Sequence, residues 1–266
     1  MNGILRKPNY RVVVRLVAVL ACGLGPSMAW SPWAQAAGNV QASVADGNLI
    51  IAGDTASNNI LVIQEFNEVV TVVGRAGTTV NGERGPSSAD GVTNIAIDMR
   101  GGDDFVRVEV VPSAGLAIPG DLRIDTGKRN DIIELLGVTV AAETRIDTGD
   151  GSDTIFIDGV FTPSEEFVRS DFAGRFAVET GDKEDLIEIN HAIFRGEVDV
   201  KLGRGIDAAC THASEYQSPD NTSFDGGEPS GFPGDGFYVL IIELADAVTD
   251  FEFFPDDCAF LGGRVF

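Results

Sequence analysis

From residue 97 to about 210 the chain is written in short runs that alternate apolar and polar positions. Examples are LRID at 122–125, DIIELL at 131–136 and VTV at 138–140, and each run is closed by a glycine-containing corner. Runs of this length, rich in β-branched and aliphatic residues and bounded by Gly, read as strands, and nothing between them sustains a 3.6-residue period. The pattern also repeats. Residues 122–143 and 144–165 are identical at ten of 22 aligned positions, among them Ile124/Ile146, Asp125/Asp147, Gly127/Gly149, Asp131/Asp153 and Ile133/Ile155. Weaker copies occupy 97–109, 178–190 and 200–212. The aligned aspartates are Asp104, Asp131, Asp153, Asp185 and Asp207, at spacings of 27, 22, 32 and 22. The 32 reads as one repeat plus a loop inserted around Pro163 to Glu166.

A period between 20 and 50 residues indicates a solenoid, a propeller or another array, and a propeller blade needs ~40 residues. Twenty-two residues with two or three short strands fit one coil of a parallel β-solenoid (β-helix). The fold expected is therefore all-β, with coils stacked ~4.8 Å apart so that equivalent residues form columns. Ile124/Ile146/Val178/Val200 and Ile133/Ile155/Ile187 would point inward. An antiparallel sandwich with chance internal similarity is the rival. Residues 38–96 read as irregular first coils or an N-terminal cap. Residues 97–210 are the repeat region, 211–236 a Gly/Pro/Asp-rich loop, and 237–266 a β cap over the C-terminal end.

The first 37 residues are different in kind. Arg6, Lys7, Arg11 and Arg15 precede an apolar run at 16–24, and Ala34-Gln35-Ala36 is a small-x-small cleavage site. This is the pattern of an export signal. The run is shorter than a ~20-residue membrane span, and no later segment qualifies as transmembrane. Lipidation at Cys22 is the rival processing route. The protein is thus expected outside the cytoplasm: secreted or at the cell surface, with periplasmic and lipid-anchored forms as variants. Export favours oxidised cysteines, and Cys210 and Cys258, the two outside the leader, are expected to pair across the Gly/Pro/Asp-rich loop, with two independent free thiols as the rival. For a loop of that size the chain-entropy gain is roughly 4 kcal/mol.

Charge narrows the partners. The chain carries −22, and because four of the 19 basic residues and none of the 41 acidic ones lie in the leader, the remainder carries −26. No nucleic-acid partner is expected of such a chain. Stacking also brings like charges together: Asp131, Asp153, Asp185 and Asp207 would form one column and Asp125, Asp147 and Glu179 a second. Two carboxylates ~4.8 Å apart repel by about 0.9 kcal/mol in water and by several times that near a protein surface. Such a column either binds cations, Ca²⁺ foremost because it takes oxygen ligands, or caps its own turns and splays to solvent. Both readings stay open.

Residues 148–156, TGDGSDTIF, match eight of nine positions of the repeat Gly-Gly-x-Gly-x-Asp-x-(apolar)-x. On these residues, and on the poorer corners at Gly127, Gly181 and Gly203, the chain resembles the hemolysin-type (RTX-like) calcium-binding repeat proteins, in a form with one corner per coil. The resemblance implies Ca²⁺ as cofactor, with Asp104, Asp131, Gly149, Asp150, Gly151, Asp153, Asp185 and Asp207 around it. The family runs its nonapeptides in tandem and lacks a cleaved N-terminal signal; both features differ here. No zinc-protease, serine-elbow or P-loop sequence occurs. His191 and His212 would fall on adjacent coils, as surface or packed residues. The threonine column Thr126/Thr148/Thr180 has one Thr per coil, too few for an ice-binding rank. The function expected is a non-enzymatic, calcium-binding structural or adhesion protein of the cell exterior, with cell-surface or matrix polysaccharide as a partner class. The alternative is a carbohydrate-active β-helix enzyme, a lyase or hydrolase.

Overall fold

Parallel pairing in strict register organises the chain. The computed structural model describes residues 38–64, 68–110, 118–161, 166–229, 236–239 and 248–249, all within one compact unit. Within these the protein is all-β, with one 3₁₀ turn at Pro219–Asn221. No described helix is long and apolar enough to cross a membrane. The leader and Cys258 lie outside the described residues.

From residue 122 onward, each of four successive repeats contributes one strand to each of three sheets. Residues 122–143 supply Leu122–Asp125 to a ten-stranded sheet, Ile132–Leu136 to a nine-stranded sheet and Thr139–Val140 to a four-stranded sheet. The next repeat supplies Thr144–Asp147, Thr154–Asp158 and Ser170–Phe172, and it pairs with its predecessor in parallel, Ile146 to Ile124 and Ile155 to Ile133. Phe176–Glu179, Leu186–Asn190 and Ala192–Phe194 follow, then Val198–Lys201, Ala208–His212 and Glu215–Tyr216. The expected columns are observed: Ile124, Ile146, Val178 and Val200 are buried, as are Ile133, Ile155 and Ile187, and all belong to one continuous core. The inserted residues form a small antiparallel hairpin, Val160–Phe161 with Phe167–Val168, which leaves the register on either side intact.

Alternation explains why these residues form these strands. In Ile132–Leu136 the burial pattern alternates, and the same phase recurs in Thr154–Asp158. Where the third sheet meets the interior the core turns aromatic. Phe172 stacks on Phe194 and Phe194 on Tyr216, at centroid separations of 5.2 and 5.0 Å with rings 13° from parallel, and Phe176 closes the group at 4.9 Å from both Phe172 and Phe194. Offset aromatic pairs contribute about 0.5–1.5 kcal/mol each beyond the area they bury.

The N-terminal end departs from the parallel pattern. Asn48–Ala52 and Asn59–Gln64 pair in parallel with Asn94–Asp98 and Phe105–Val110, so they are true first members of the two large sheets. Asn39–Ala45 then folds back antiparallel on Asn48–Ala52, and Val70–Gly74 and Ser87–Ala89 add antiparallel strands beyond Asn59–Gln64. Residues 38–96 thus combine parallel strands that continue the two large sheets with antiparallel strands beyond them. At the other end the expected loop 211–236 is partly regular. Thr222–Asp225 extends the ten-stranded sheet with Thr222 and Phe224 buried, and Gly236–Val239 extends the nine-stranded one in parallel. Its Gly, Pro and Asp content hid a four-residue alternation too short to stand out in the sequence.

Phe194→Ala is expected to lower unfolding free energy by roughly 3–5 kcal/mol. The same change at Phe161, 70% exposed on the hairpin, should leave it nearly unchanged. Chemical denaturation of the two variants checks the contrast.

Candidate functional site

The five aligned aspartates do form a column, and it is inside the protein. Asp104, Asp131, Asp153, Asp185 and Asp207 are 1–3% exposed. Each Asp shares the phase of the buried residues two and four positions later, as in Asp153, Ile155 and Ile157. That phase was visible in the sequence and points the carboxyl inward rather than to solvent. Each carboxyl reaches back to the preceding repeat. Asp104 Oδ1 accepts the backbone N–H of Asn58 at 2.6 Å, and Asp131 Oδ1 that of Asp104 at 2.7 Å. Asp153, Asp185 and Asp207 accept from Asp131, Asp153 and Asp185, each at 2.8 Å. The aspartates therefore cap, as one reading held, but they cap the neighbouring repeat's backbone, 22 to 46 residues away, instead of their own turn.

The second oxygens have a different environment. Oδ2 of Asp104, Asp131, Asp153 and Asp185 is buried and accepts no hydrogen bond. Beside the column runs a buried threonine ladder. Thr126, Thr148 and Thr180 donate their hydroxyls to the carbonyls of Thr148, Thr180 and Leu202 at 3.3, 3.2 and 2.7 Å. The threonines of this column thus face inward. Their oxygens lie next to the carboxyls of Asp131, Asp153 and Asp185. Burial pushes the Asp104 carboxyl up to about 7, Asp131 to about 8, Asp153 to about 6 and Asp185 to about 8. The hydrogen bonds to Oδ1 oppose the rise and like-charged neighbours add to it. The raised values place the titration of these carboxyls close to neutral pH. Asn58 occupies the same position one repeat earlier, so the head of the column is neutral by composition.

The corners before the aspartates stack as closely as backbone allows. Gly149 has φ +80°, and a Cβ there would fall 2.0 Å from the Gly127 carbonyl oxygen; at Gly151 it would fall 1.9 Å from that of Arg129. The glycines of the motif are needed for this approach. The corner carbonyls are occupied too: Gly127 O accepts from Asp150 N–H at 2.9 Å and Asp150 O from Arg129 N–H at 2.7 Å. Asp150 is exposed and bridges in parallel to Lys128 on one side and Asp182 on the other. Among the described residues no group of three or more His, Cys, Asp or Glu is disposed to hold a metal ion.

No family model matches this chain, and neither a curated protein nor a solved structure does. The site's chemistry is therefore read from its own geometry.

Outside the column, Asp98, Asp125, Asp147 and Glu179 stand in register on the outer face of the ten-stranded sheet. Burial first, then the charges of Asp147 and Asp98, raises the Asp125 pKa. Arg145 relieves the row by pairing with Glu179 at 3.2 Å. His191 and His212 are neighbours, rings 5.8 Å apart, and His191 Nδ1 lies 2.9 Å from Asp158 Oδ1 with Phe167 against its ring. Cys210 is buried opposite Glu188 and Tyr238.

The sign of the pH effect follows from the raised values. Folded aspartates hold protons that unfolded ones release above about pH 4, so the column's contribution is complete below that pH and is lost as pH climbs through 6 to 8. The melting temperature is expected to fall between pH 5 and 9. Asp131→Asn, which keeps the Oδ1 acceptor and removes the titration, should flatten the decline. Gly149→Ala, by contrast, should destabilise by several kcal/mol at every pH, since backbone must move.

Proposed function

We propose that this chain is an exported β-solenoid of 22-residue coils whose role is structural or adhesive. The observation that carries the reading is the use of the most regular chemistry in the sequence, five stacked aspartates, to hold the chain's own backbone. A catalytic carboxylate must face a substrate; these face the interior. What is left for partners is an acidic outer surface that repeats in register along the sheets, suited to lying along an extended polymer such as cell-surface or matrix polysaccharide.

Calcium in this reading acts on the outer row of Asp98, Asp125, Asp147 and Glu179, where it screens repulsion between repeats, and not on the buried column. A ligand that binds only the folded state stabilises it in proportion to its saturation. After chelator treatment, millimolar Ca²⁺ and Mg²⁺ are expected to raise the melting temperature by similar small amounts, and Asp125→Asn to reduce both. A rise of many degrees specific to Ca²⁺, abolished by Asp153→Asn, would place the ion in the column and overturn this division.

The cysteine pair belongs to the same proposal. A Cys210–Cys258 bond would tie the C-terminal segment to the nine-stranded sheet, and non-reducing peptide mapping should recover the two as one linked peptide.

A further inference from the structure

The chain has two histidines, and the fold brings them together. His191 follows the strand Leu186–Asn190, and His212 ends the strand Ala208–His212 of the next repeat. Asn190 and His212 are register partners, and the His191 N–H donates to the His212 carbonyl at 3.0 Å. The two imidazoles stand with centroids 5.8 Å apart and planes perpendicular. Two further groups hold the first ring. His191 Nδ1 lies 2.9 Å from Oδ1 of Asp158, the last residue of the strand Thr154–Asp158 one repeat earlier. Phe167, from the inserted hairpin, packs in a T-shape against the same ring at 5.0 Å.

The backbone asks for no ring at this corner. Gly137 holds the same position earlier in the stack and Ala213 later, at φ of 60° and 49°, against 49° for His191. The Gly137 N–H donates to the Asp158 carbonyl at 2.9 Å, the same rung that His191 forms with His212. Glycine or alanine therefore satisfies the corner, and the imidazole is an addition to it. Nor is it part of the apolar core: the His191 side chain is 34% exposed, and His212 is exposed.

The chemistry of the pair is selective. A carboxylate that accepts from Nδ1–H fixes the tautomer, leaves the Nε2 lone pair free and makes it a better ligand, which is how metal-bound imidazoles are commonly oriented. Zinc–imidazole bonds are about 2.0–2.1 Å, so two imidazoles on one ion have centroids roughly 4.5–6.5 Å apart, depending on the angle between the bonds. The observed 5.8 Å lies within that span. An imidazole coordinates in its own plane with free twist about the bond, so perpendicular rings are no obstacle. Nitrogen donors select transition metals over the hard ions Ca²⁺ and Mg²⁺. Among the described residues no three His, Cys, Asp or Glu ligands converge, so an ion here keeps positions open to water or an external donor. We propose that His191 and His212 bind a divalent transition-metal ion, Cu²⁺ most tightly by the general order of divalent affinities, and that Asp158 is the positioning residue for His191. The ion ties successive repeats together beside the hairpin. This site is independent of the structural or adhesive reading and of the acidic row.

Titration of the untagged, chelator-treated full chain with Cu²⁺ tests the site, read by calorimetry and by electron paramagnetic resonance. A single tight equivalent is expected, with both imidazole nitrogens in the spectrum, and millimolar Ca²⁺ should not displace it. His212→Ala should weaken binding by about tenfold or more and leave one imidazole nitrogen. Asp158→Asn should weaken it by about tenfold while keeping both nitrogens. The chain has no third histidine, so the two-imidazole signal has no other source within it. Circular dichroism checks that the variants fold; His212 is exposed, so its replacement should leave the fold intact. No saturable Cu²⁺ binding, or unchanged affinity in His212→Ala, would overturn the proposal. Unchanged affinity in Asp158→Asn would refute the positioning role.

Discussion

Because neighbouring repeats pair in register, each residue sits one strand spacing, ~4.8 Å, from its equivalent in the next, and like is forced against like along the whole stack. For apolar and aromatic residues this is favourable, and the Phe172–Phe194–Tyr216 stack gains from it directly. For acids it is costly, and the two acidic columns show two remedies. The outer row from Asp98 to Glu179 lies toward solvent, with Arg145 paired to Glu179. The inner column is buried, which raises its carboxyl pKa values and so makes its charge easier to give up, while its Oδ1 atoms satisfy backbone N–H groups that would otherwise lie buried without a partner.

The Gly-Asp corner is best understood from the same constraint. A corner stacked on an identical corner leaves no room for Cβ at Gly149 or Gly151, and its inward carboxyl meets the backbone of the previous turn. Gly149, Gly151 and Asp153 of the nonapeptide motif at 148–156 thus each have a role in stacking. The resemblance to calcium-binding repeats is carried by residues whose oxygens here accept hydrogen bonds from the protein itself. Spacing is the physical difference: with 22 residues per repeat the corner is followed by two further strands before the next corner arrives.

A parallel stack has ends, and each is an open row of backbone groups. The N-terminal end turns to antiparallel strands, Asn39–Ala45 on one sheet and Val70–Gly74 with Ser87–Ala89 on the other. Antiparallel additions need only short turns, so few residues suffice to cover the first parallel strands. They displace the edge outward, where the Asn81 carboxamide bonds to the Ala42 backbone.

The sequence by itself determined the repeat, the strands and their inward columns, because alternation and a 22-residue period are local and survive in the letters. Ten identities between 122–143 and 144–165 were enough to set the register of Ile124 on Ile146 and Asp131 on Asp153. Even the inward phase of the aspartates was legible, since Asp153 shares its parity with Ile155 and Ile157, although a charged residue is ordinarily read as solvent-facing. Only the tertiary structure decided what those carboxyls do. The N–H that Asp153 caps belongs to Asp131, one repeat away, and no local pattern records a partner across that distance. The same holds for Asn81, whose partner Ala42 is 39 residues distant. Local sequence fixes which way a side chain points. The hydrogen-bond partner waiting there depends on which segments the fold lays side by side.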